Sequence, residues 1–185
     1  MHRLKGKANP KPFIPIARTM RVLLLLAIAF AGCIGHTETV VETDVETGVT
    51  TTTSARFNLW SGANCTLCET GCELVKSVSR DSAVRYYIRL VYSGERPAGI
   101  EVVGLVVDSQ LTVFKSPKVQ AQSAPYGRFF ETVTLGVSAE YLRKIAGCKQ
   151  LRYWLTGSKR ISHTASDEAL DRFRTFVDSE LTLRP

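Results

Sequence analysis

The chain has 185 residues, of which 44% are hydrophobic, 9% aromatic and 22% charged. This composition excludes a collagen, a wholly disordered chain and a membrane protein with many spans. The net charge of +7 comes from 24 Lys and Arg against 17 Asp and Glu, but residues 1–32 hold six of the basic residues and no acidic one. The rest of the chain carries 18 basic and 17 acidic residues, so its charge does not indicate nucleic-acid binding.

An apolar segment at residues 22–31 follows two arginines near the start of the chain. A helix that crosses a bilayer needs about 20 apolar residues, so this segment is too short for a transmembrane helix. A positive flank, a short apolar core and small residues after it are typical of a secretory signal peptide. We therefore predict a signal peptide at residues 1–32. A start at Met20 would give a more compact signal, and residues 1–19 would then be a misassigned extension.

The apolar segment ends at residues 30–33 with the sequence Phe-Ala-Gly-Cys. Small residues followed by cysteine after an apolar stretch resemble the lipobox of bacterial lipoproteins. The resemblance implies that Cys33 is lipidated, becomes the first residue of the mature chain and holds that chain to a membrane. Because Ile34 is not the aspartate that retains such proteins at the inner membrane, it also implies an outer-membrane location, facing the periplasm or the surface. An ordinary signal cleaved after Ala29 is the alternative.

Residues 33–55 are predicted to be a tether between the lipid and a folded domain. Within them, residues 36–54 include four acidic residues, no basic one and no aromatic one. Such a segment buries too little apolar area to offset the entropy lost on ordering, although its threonines and valines favour an extended strand. We expect a solvated stalk here.

Residues 56–185 are predicted to form a single domain, because about 130 residues are enough to enclose one hydrophobic core. Short segments rich in β-forming residues, some with strict alternation of apolar and polar side chains, are separated by turn residues. The segment at residues 100–107 is nearly all apolar, so we expect a central strand covered on both faces. Strands are predicted at residues 84–92, 100–107, 111–115, 119–122, 129–137, 151–156 and 160–164.

Helices are predicted from their capping residues. Ser138 precedes a helix at residues 139–146, which Gly147 ends. Ser166 precedes a C-terminal helix from residue 167 to about residue 179, with an apolar stripe along one face.

These elements together predict the fold class. Crossovers of a dozen or more helical residues are missing between most strands, so parallel βαβ topology is not expected. The predicted fold is mainly β or α+β, an antiparallel sheet or open β-sandwich with two short helices and a C-terminal helix. The order of elements over residues 138–177 is similar to the closing unit of uncharacterised bacterial envelope proteins, a resemblance that implies no particular activity.

Four cysteines follow Cys33, with Cys65, Cys68 and Cys72 close together and Cys148 far along the chain. An even number in an exported chain favours two structural disulfide bonds, one of them joining the cluster to Cys148. The second interpretation is a metal site of all four. A helix through the cluster would hold its first and last thiols about 10 Å apart, too far to share one ion, whereas a loop could bring them together. A redox-active Cys-x-x-Cys is the third.

Two predicted strands carry arginine and aromatic side chains on their polar faces. The side chains concerned are Arg85, Tyr87 and Arg89 on the first predicted strand and Arg152 and Trp154 on the sixth. Together they are a candidate sheet face for anionic ligands such as acidic sugars or phosphates. A solvated face whose arginine stems cover the aromatic rings is the alternative.

The sequence contains no recognisable catalytic motif. The predicted domain has a single histidine, His163, and neither a Gly-x-Ser-x-Gly sequence nor a glycine-rich phosphate loop. We therefore expect no catalytic residue, no metal and no other cofactor. Our hypothesis is a lipid-anchored envelope protein that acts by binding to, or assembly with, an envelope protein or glycan. The alternative is a periplasmic thiol-redox or metal-binding protein that uses Cys65, Cys68, Cys72 and Cys148.

Overall fold

The structure is a computed structural model that describes residues 39–59 and 70–181. The predicted signal peptide at residues 1–32, the lipidation of Cys33 and the roles of Cys65 and Cys68 lie outside the described residues and stay predictions. Residues Glu38–Pro185 form a compact unit of their own.

The described residues contain eleven strands and two α-helices. The helices are α1 (Ala139–Gly147), between the ninth and tenth strands, and α2 (Asp167–Glu180), after the last strand. In chain order, the strands are β1 (Val40–Thr43), β2 (Thr50–Thr53), β3 (Phe57–Asn58), β4 (Thr70–Val78), β5 (Val84–Gly94), β6 (Val102–Val107), β7 (Gln110–Lys115), β8 (Lys118–Ala124), β9 (Arg128–Val137), β10 (Leu151–Thr156) and β11 (Arg160–Thr164).

The strands form two antiparallel sheets. The larger sheet has seven strands in the order β1-β2-β4-β5-β9-β8, with β3 paired to β4 beyond the end of β2. The smaller sheet has four strands in the order β11-β10-β6-β7. Strand β6 is central in this sheet and nearly all buried, as the sequence predicts. The predicted fold class, mainly β with antiparallel sheets and a C-terminal helix, is therefore confirmed.

Both sheets and both helices contribute to one hydrophobic core. Side chains along a strand point alternately to opposite faces, so every second residue of each strand reaches the inner face of its sheet. Helix α2 closes the core with Phe173, whose ring meets that of Phe57 edge-on at a centroid distance of 5.7 Å. The central residues are Leu74, Ile88, Leu90, Val133 and Leu135 of the larger sheet and Val103, Leu105, Leu151, Tyr153 and Leu155 of the smaller sheet.

The two helices begin at the serines that the sequence predicts. The Ser138 hydroxyl accepts the N–H of Tyr141 at 3.1 Å, and the Ser166 hydroxyl accepts the N–H of Ala169 at 3.2 Å. Each such cap stabilises its helix by about 1 kcal/mol. The sequence predicts two short helices besides the C-terminal one, whereas the described residues contain α1 and one 3₁₀ turn at Pro125–Gly127. Neither α-helix in the described part of the chain has the length and apolar surface needed to cross a bilayer.

Residues 40–53, predicted to be part of a solvated tether, form the β1–β2 hairpin. Thr50 lies opposite Val78 and Thr53 opposite Val75, so the hairpin extends the larger sheet. The sheet therefore begins at residue 40, and for these residues the predicted tether and a domain start at residue 56 are wrong. The physical reason is that β4 offers an open edge, and pairing with it satisfies the backbone of a segment that buries little apolar area by itself.

Residues 70–78 form a strand and not part of a helix. Strand β4 pairs with β5 over its whole length, from Thr70 opposite Tyr92 to Val78 opposite Val84. Cys72 and Leu74 alternate with Glu73 and point into the core, whereas Glu73 points outward. The helical spacing considered for the cysteine cluster does not apply from residue 70 onward.

Candidate functional site

Four polar side chains stand in line across the outer face of the larger sheet, the face turned away from the core. Glu73 of β4 lies opposite Arg89 of β5, Arg89 lies opposite Thr134 of β9, and Thr134 lies opposite Lys118 of β8. Neighbouring strands are about 4.8 Å apart, so Arg89 and Lys118 leave the backbone roughly 10 Å from each other. Antiparallel pairing thus gathers one carboxylate, two cations and one hydroxyl from four separate segments. We call these four residues the polar row.

The polar row lies in a cleft of about 620 Å³, which we call the outer cleft. Arg56, from the segment before β3, lies at the Glu73 end, and the half-buried Tyr87 precedes Arg89 by one outward-facing position on β5. The cleft is therefore bordered by charges, one aromatic ring and several short neutral polar groups. The neutral polar side chains that line it are Thr51, Ser77, Gln120, Thr132 and Thr134.

The charges of the outer cleft are unbalanced. Nε of Arg56 donates to Oε1 of Glu73 at 2.9 Å, and Nη2 of Arg56 lies 2.7 Å from the same oxygen. Nη1 of Arg89 lies 3.8 Å from the other oxygen, Oε2, which is beyond hydrogen-bond distance. Lys118 makes no ion pair with any described residue. Among the described residues that line the cleft, three cations thus face one carboxylate, and the arrangement attracts an anion. The guanidinium of Arg89, which donates no hydrogen bond to a described residue, is well suited to bind one.

The structure divides the predicted anion-binding face. Tyr87 and Arg89 lie together in the outer cleft, whereas Arg85, exposed at the start of the same strand, does not line it. Arg152 and Trp154 belong to β10 and lie on the outer face of the smaller sheet. A single face made of all five residues is therefore wrong. The reason is that β5 and β10 enter different sheets, which strand periodicity does not specify.

Three charged residues of the outer cleft, Arg56, Glu73 and Lys118, are not among the site residues that the sequence predicts. Glu73 and Lys118 each alternate with inward-facing neighbours, which marks them as outward-facing once their strands are known. Their place beside Arg89 depends on which strands pair and in what register. Arg56 lies in a connecting segment, and no local pattern directs its side chain toward Glu73.

Cys72 and Cys148 are buried free thiols. The predicted disulfide from the cysteine cluster to Cys148 is therefore not formed within the described residues, while Cys65 and Cys68 lie outside them. Burial, and secondarily the Glu73 carboxylate, raises the pKa of the Cys72 thiol well above its ordinary value. Burial also raises the pKa of Cys148. Redox attack and metal binding both require a thiolate, so these two buried residues fit the thiol-redox and metal interpretations poorly.

The inner face of β11 brings His163 beside the buried Tyr153. The two residues are paired across the strands, and their ring centroids are 6.0 Å apart. Partial burial lowers the pKa of His163, which favours the neutral imidazole. Within the described ranges, no three His, Cys, Asp or Glu side chains converge in a way that could hold a metal ion.

Comparison with known proteins identifies no family for this chain. No family model matches it, and no curated protein matches it. Among solved structures, it is similar to the crystal structure of invasion associated protein B from Bartonella henselae, with 14% sequence identity and a TM-score of 0.36. The similarity covers 75% of this chain and 93% of that chain. A likeness this low carries no information about function.

Proposed function

We propose that this chain is a lipid-anchored protein of the bacterial cell envelope that binds an anionic ligand in the outer cleft and catalyses no reaction. The signal peptide at residues 1–32 would direct export, and lipid on Cys33 would hold the mature chain at a membrane, the outer one where the cell has two. The observation that carries the binding role is the polar row, in which Arg89 and Lys118 stand two strands apart on one sheet face.

The state of Arg89 supports an anionic ligand. Its side chain is 38% exposed, and its nearest carboxylate oxygen lies at 3.8 Å. A planar guanidinium in this state can donate two parallel hydrogen bonds to a carboxylate or a phosphate. Lys118, exposed and roughly 10 Å away at the backbone, adds a second positive charge that reaches the same cleft from the other side.

The neutral side chains of the outer cleft support a sugar as the body of that ligand. Thr132, Thr134 and Gln120 offer hydroxyl and amide groups, which pair with sugar hydroxyls. Tyr87 offers an aromatic ring with a polar hydroxyl, and tyrosine is common at binding surfaces where one end of the side chain contacts water. A sugar that carries a carboxylate or a phosphate combines both kinds of group.

The carboxylate of the outer cleft is poorly placed for acid–base chemistry. Glu73 is the one acidic residue among the described residues that line the cleft, and its Oε1 accepts a hydrogen bond from Nε of Arg56 and forms an ion pair with that guanidinium. General acid–base catalysis needs a group within hydrogen-bond reach of the reacting proton, and glycoside hydrolysis ordinarily needs a pair of carboxyl groups. This supports a binding role without catalysis.

Isothermal titration calorimetry on the purified chain tests the binding role, with glucuronic acid, glucose 6-phosphate, inorganic phosphate and glucose as ligands. We expect both acidic sugars to bind and glucose not to bind. Arg89→Gln and Lys118→Gln each remove one cation and should weaken binding at least about tenfold. Glu73→Gln removes the repelling charge and should strengthen it.

Arg85→Gln is the matched control, because Arg85 lies on the same face of β5 but does not line the outer cleft. Its affinities should equal those of the unmodified chain. Glucose binding as tightly as the acidic sugars would contradict an anion site. Equal binding of inorganic phosphate and glucose 6-phosphate would agree with an anion site but would contradict recognition of the sugar.

Mass spectrometry of the protein isolated from its own membranes tests the anchor separately. We expect a mature chain that begins at an acylated Cys33. An unmodified Cys33 thiol on a chain that still carries residues 1–32 would overturn the anchor and the envelope location, while the calorimetric result would stand.

A further inference from the structure

The outer face of the smaller sheet has a composition unlike that of the outer cleft. The strand register places three rows of four residues on this face, one from each strand in every row. The first row contains Arg152 and Leu111, the second contains Trp154 and Val113, and the third has Arg160 and Lys115 at its two ends. We call this surface the basic apolar face.

Large apolar side chains are exposed on this face at β7, the edge strand. Leu111 is 55% exposed and Val113 is 42% exposed, and they stand beside each other on the outward side of the strand. An edge strand with exposed apolar side chains is ordinarily protected by charged residues or covered by another structural element. Exposed apolar groups that are contiguous mark surfaces that contact another phase or molecule.

The centre of the face is closely packed. The indole of Trp154 lies flat on Gly104, where an added Cβ would come within 2.1 Å of the ring. The guanidinium carbon of Arg160 lies over the Trp154 ring, 5.4 Å from its centroid. The glycine thus allows a flat aromatic platform, and the arginine is held beside it.

The charge of the face is of one sign. Arg152, Arg160 and Lys115 are exposed, and no carboxylate occupies any of the twelve positions. The nearest acidic residues along β6, Glu101 and Asp108, stand beyond its two ends, and Asp108 accepts the backbone N–H groups of the α1–β10 loop. The face is therefore complementary to a negatively charged surface.

We infer that the basic apolar face docks on an anionic phospholipid surface. Its three cations sit on three different strands, and β11 and β7 are roughly 14 Å apart across the sheet, so each cation meets a separate phosphate. A lipid surface supplies many mobile phosphates with no fixed register, which suits cations spread in this way. Leu111 and Val113 then enter the acyl boundary, and the half-buried Trp154 lies at headgroup level, where tryptophan is enriched. A lipid surface supplies negative charge and an apolar phase together, which matches both the cations and the two exposed apolar side chains of this face.

Vesicle co-sedimentation of residues 38–185 tests this inference, since these residues form a compact unit and lack both the leader and Cys33. We expect binding to vesicles of phosphatidylcholine and phosphatidylglycerol at least tenfold stronger than to phosphatidylcholine alone, and weakening as salt is raised. Lys115→Gln and Arg152→Gln should each weaken it about fivefold. The double variant Leu111→Ser, Val113→Ser should weaken it about tenfold or more.

Two control variants test whether vesicle binding depends on the outer cleft or on exposed apolar side chains in general. Arg89→Gln removes a cation from the other sheet, and Val84→Ser removes an apolar side chain that is 45% exposed there. Both should bind vesicles as the unmodified chain does, and thermal unfolding should show every variant folded. Equal binding to both kinds of vesicle, no loss in the Leu111 and Val113 variant, or binding to polyglutamate in place of vesicles would overturn the inference.

Discussion

The carboxylate of Glu131 accepts the backbone N–H of Ala98 at 2.6 Å. Its other oxygen accepts the N–H of Gly99 at 2.9 Å, and the side chain is almost fully buried. Ala98 and Gly99 lie in the connection between β5 and β6, which carries the chain from the larger sheet to the smaller one. A buried side chain that accepts two hydrogen bonds therefore holds this connection against β9.

Replacing Glu131 should destabilise the fold. In Glu131→Gln, one of the two acceptors becomes an amide donor facing a backbone N–H, so we expect a loss of about 2 kcal/mol in the free energy of unfolding. Urea denaturation measures this loss. Glu95→Gln, an exposed change in the same connection, is the control and should cost less than about 0.5 kcal/mol. Equal effects from the two variants would contradict the role of the buried carboxylate.

Arg80 should hold the β1–β2 hairpin to the rest of the larger sheet. Its Nη2 donates to the carbonyl groups of Val45 and Glu46, both at 3.1 Å. In Arg80→Ala the turn loses both contacts, so amide hydrogen exchange in residues 44–49 should speed up roughly tenfold, with little change in the core. Arg85→Ala is the control for loss of a nearby charge. Unchanged exchange in that turn would show that strand pairing alone orders the hairpin.

Stability should fall at high pH because of Tyr153. Burial raises the pKa of Tyr153 to about 12, and Thr70 offsets this only in part. The unfolded chain ionises this hydroxyl near pH 10, so its contribution is fully present below pH 10 and is lost as pH rises from 10 to 12. The loss is about 2–3 kcal/mol.

The Tyr153→Phe variant isolates this effect. Its free energy of unfolding should fall less steeply between pH 10 and 12 than that of the unmodified chain, because other ionising groups contribute equally to both. Tyr126→Phe changes a fully exposed hydroxyl and should leave the pH profile as it is. Parallel profiles for the unmodified chain and Tyr153→Phe would refute the prediction.

The buried thiols should react slowly. Cys72 and Cys148 are inaccessible, and the raised pKa of each reduces its thiolate fraction at pH 8. Iodoacetamide should label both at least on the order of 100-fold more slowly in the folded chain than in urea, measured by peptide mass spectrometry. Ser162→Cys places a thiol on the exposed side of β11 as a fast-reacting control. Failure of Cys72 or Cys148 to react in urea without reductant would instead indicate a disulfide.

Local features of the fold could be predicted from the sequence because their causes are local. Alternation over a few residues specifies that β5 and β10 are strands and which side chains share a face. A serine hydroxyl that accepts an N–H three residues later specifies where α1 and α2 begin. These features need no knowledge of distant partners. For the same reason, Tyr87 and Arg89 could be assigned to one face of one strand.

The composition of the candidate site depends on contacts that no local pattern encodes. The hairpin at residues 40–53 is ordered by the free edge of β4, and the polar row exists because β4, β5, β9 and β8 pair in one register. Likewise, Arg152 and Trp154 lie on a different sheet from Tyr87 and Arg89 because β10 pairs with β6. The free energy of strand pairing belongs to both partners at once, so tertiary structure alone decides which polar faces meet.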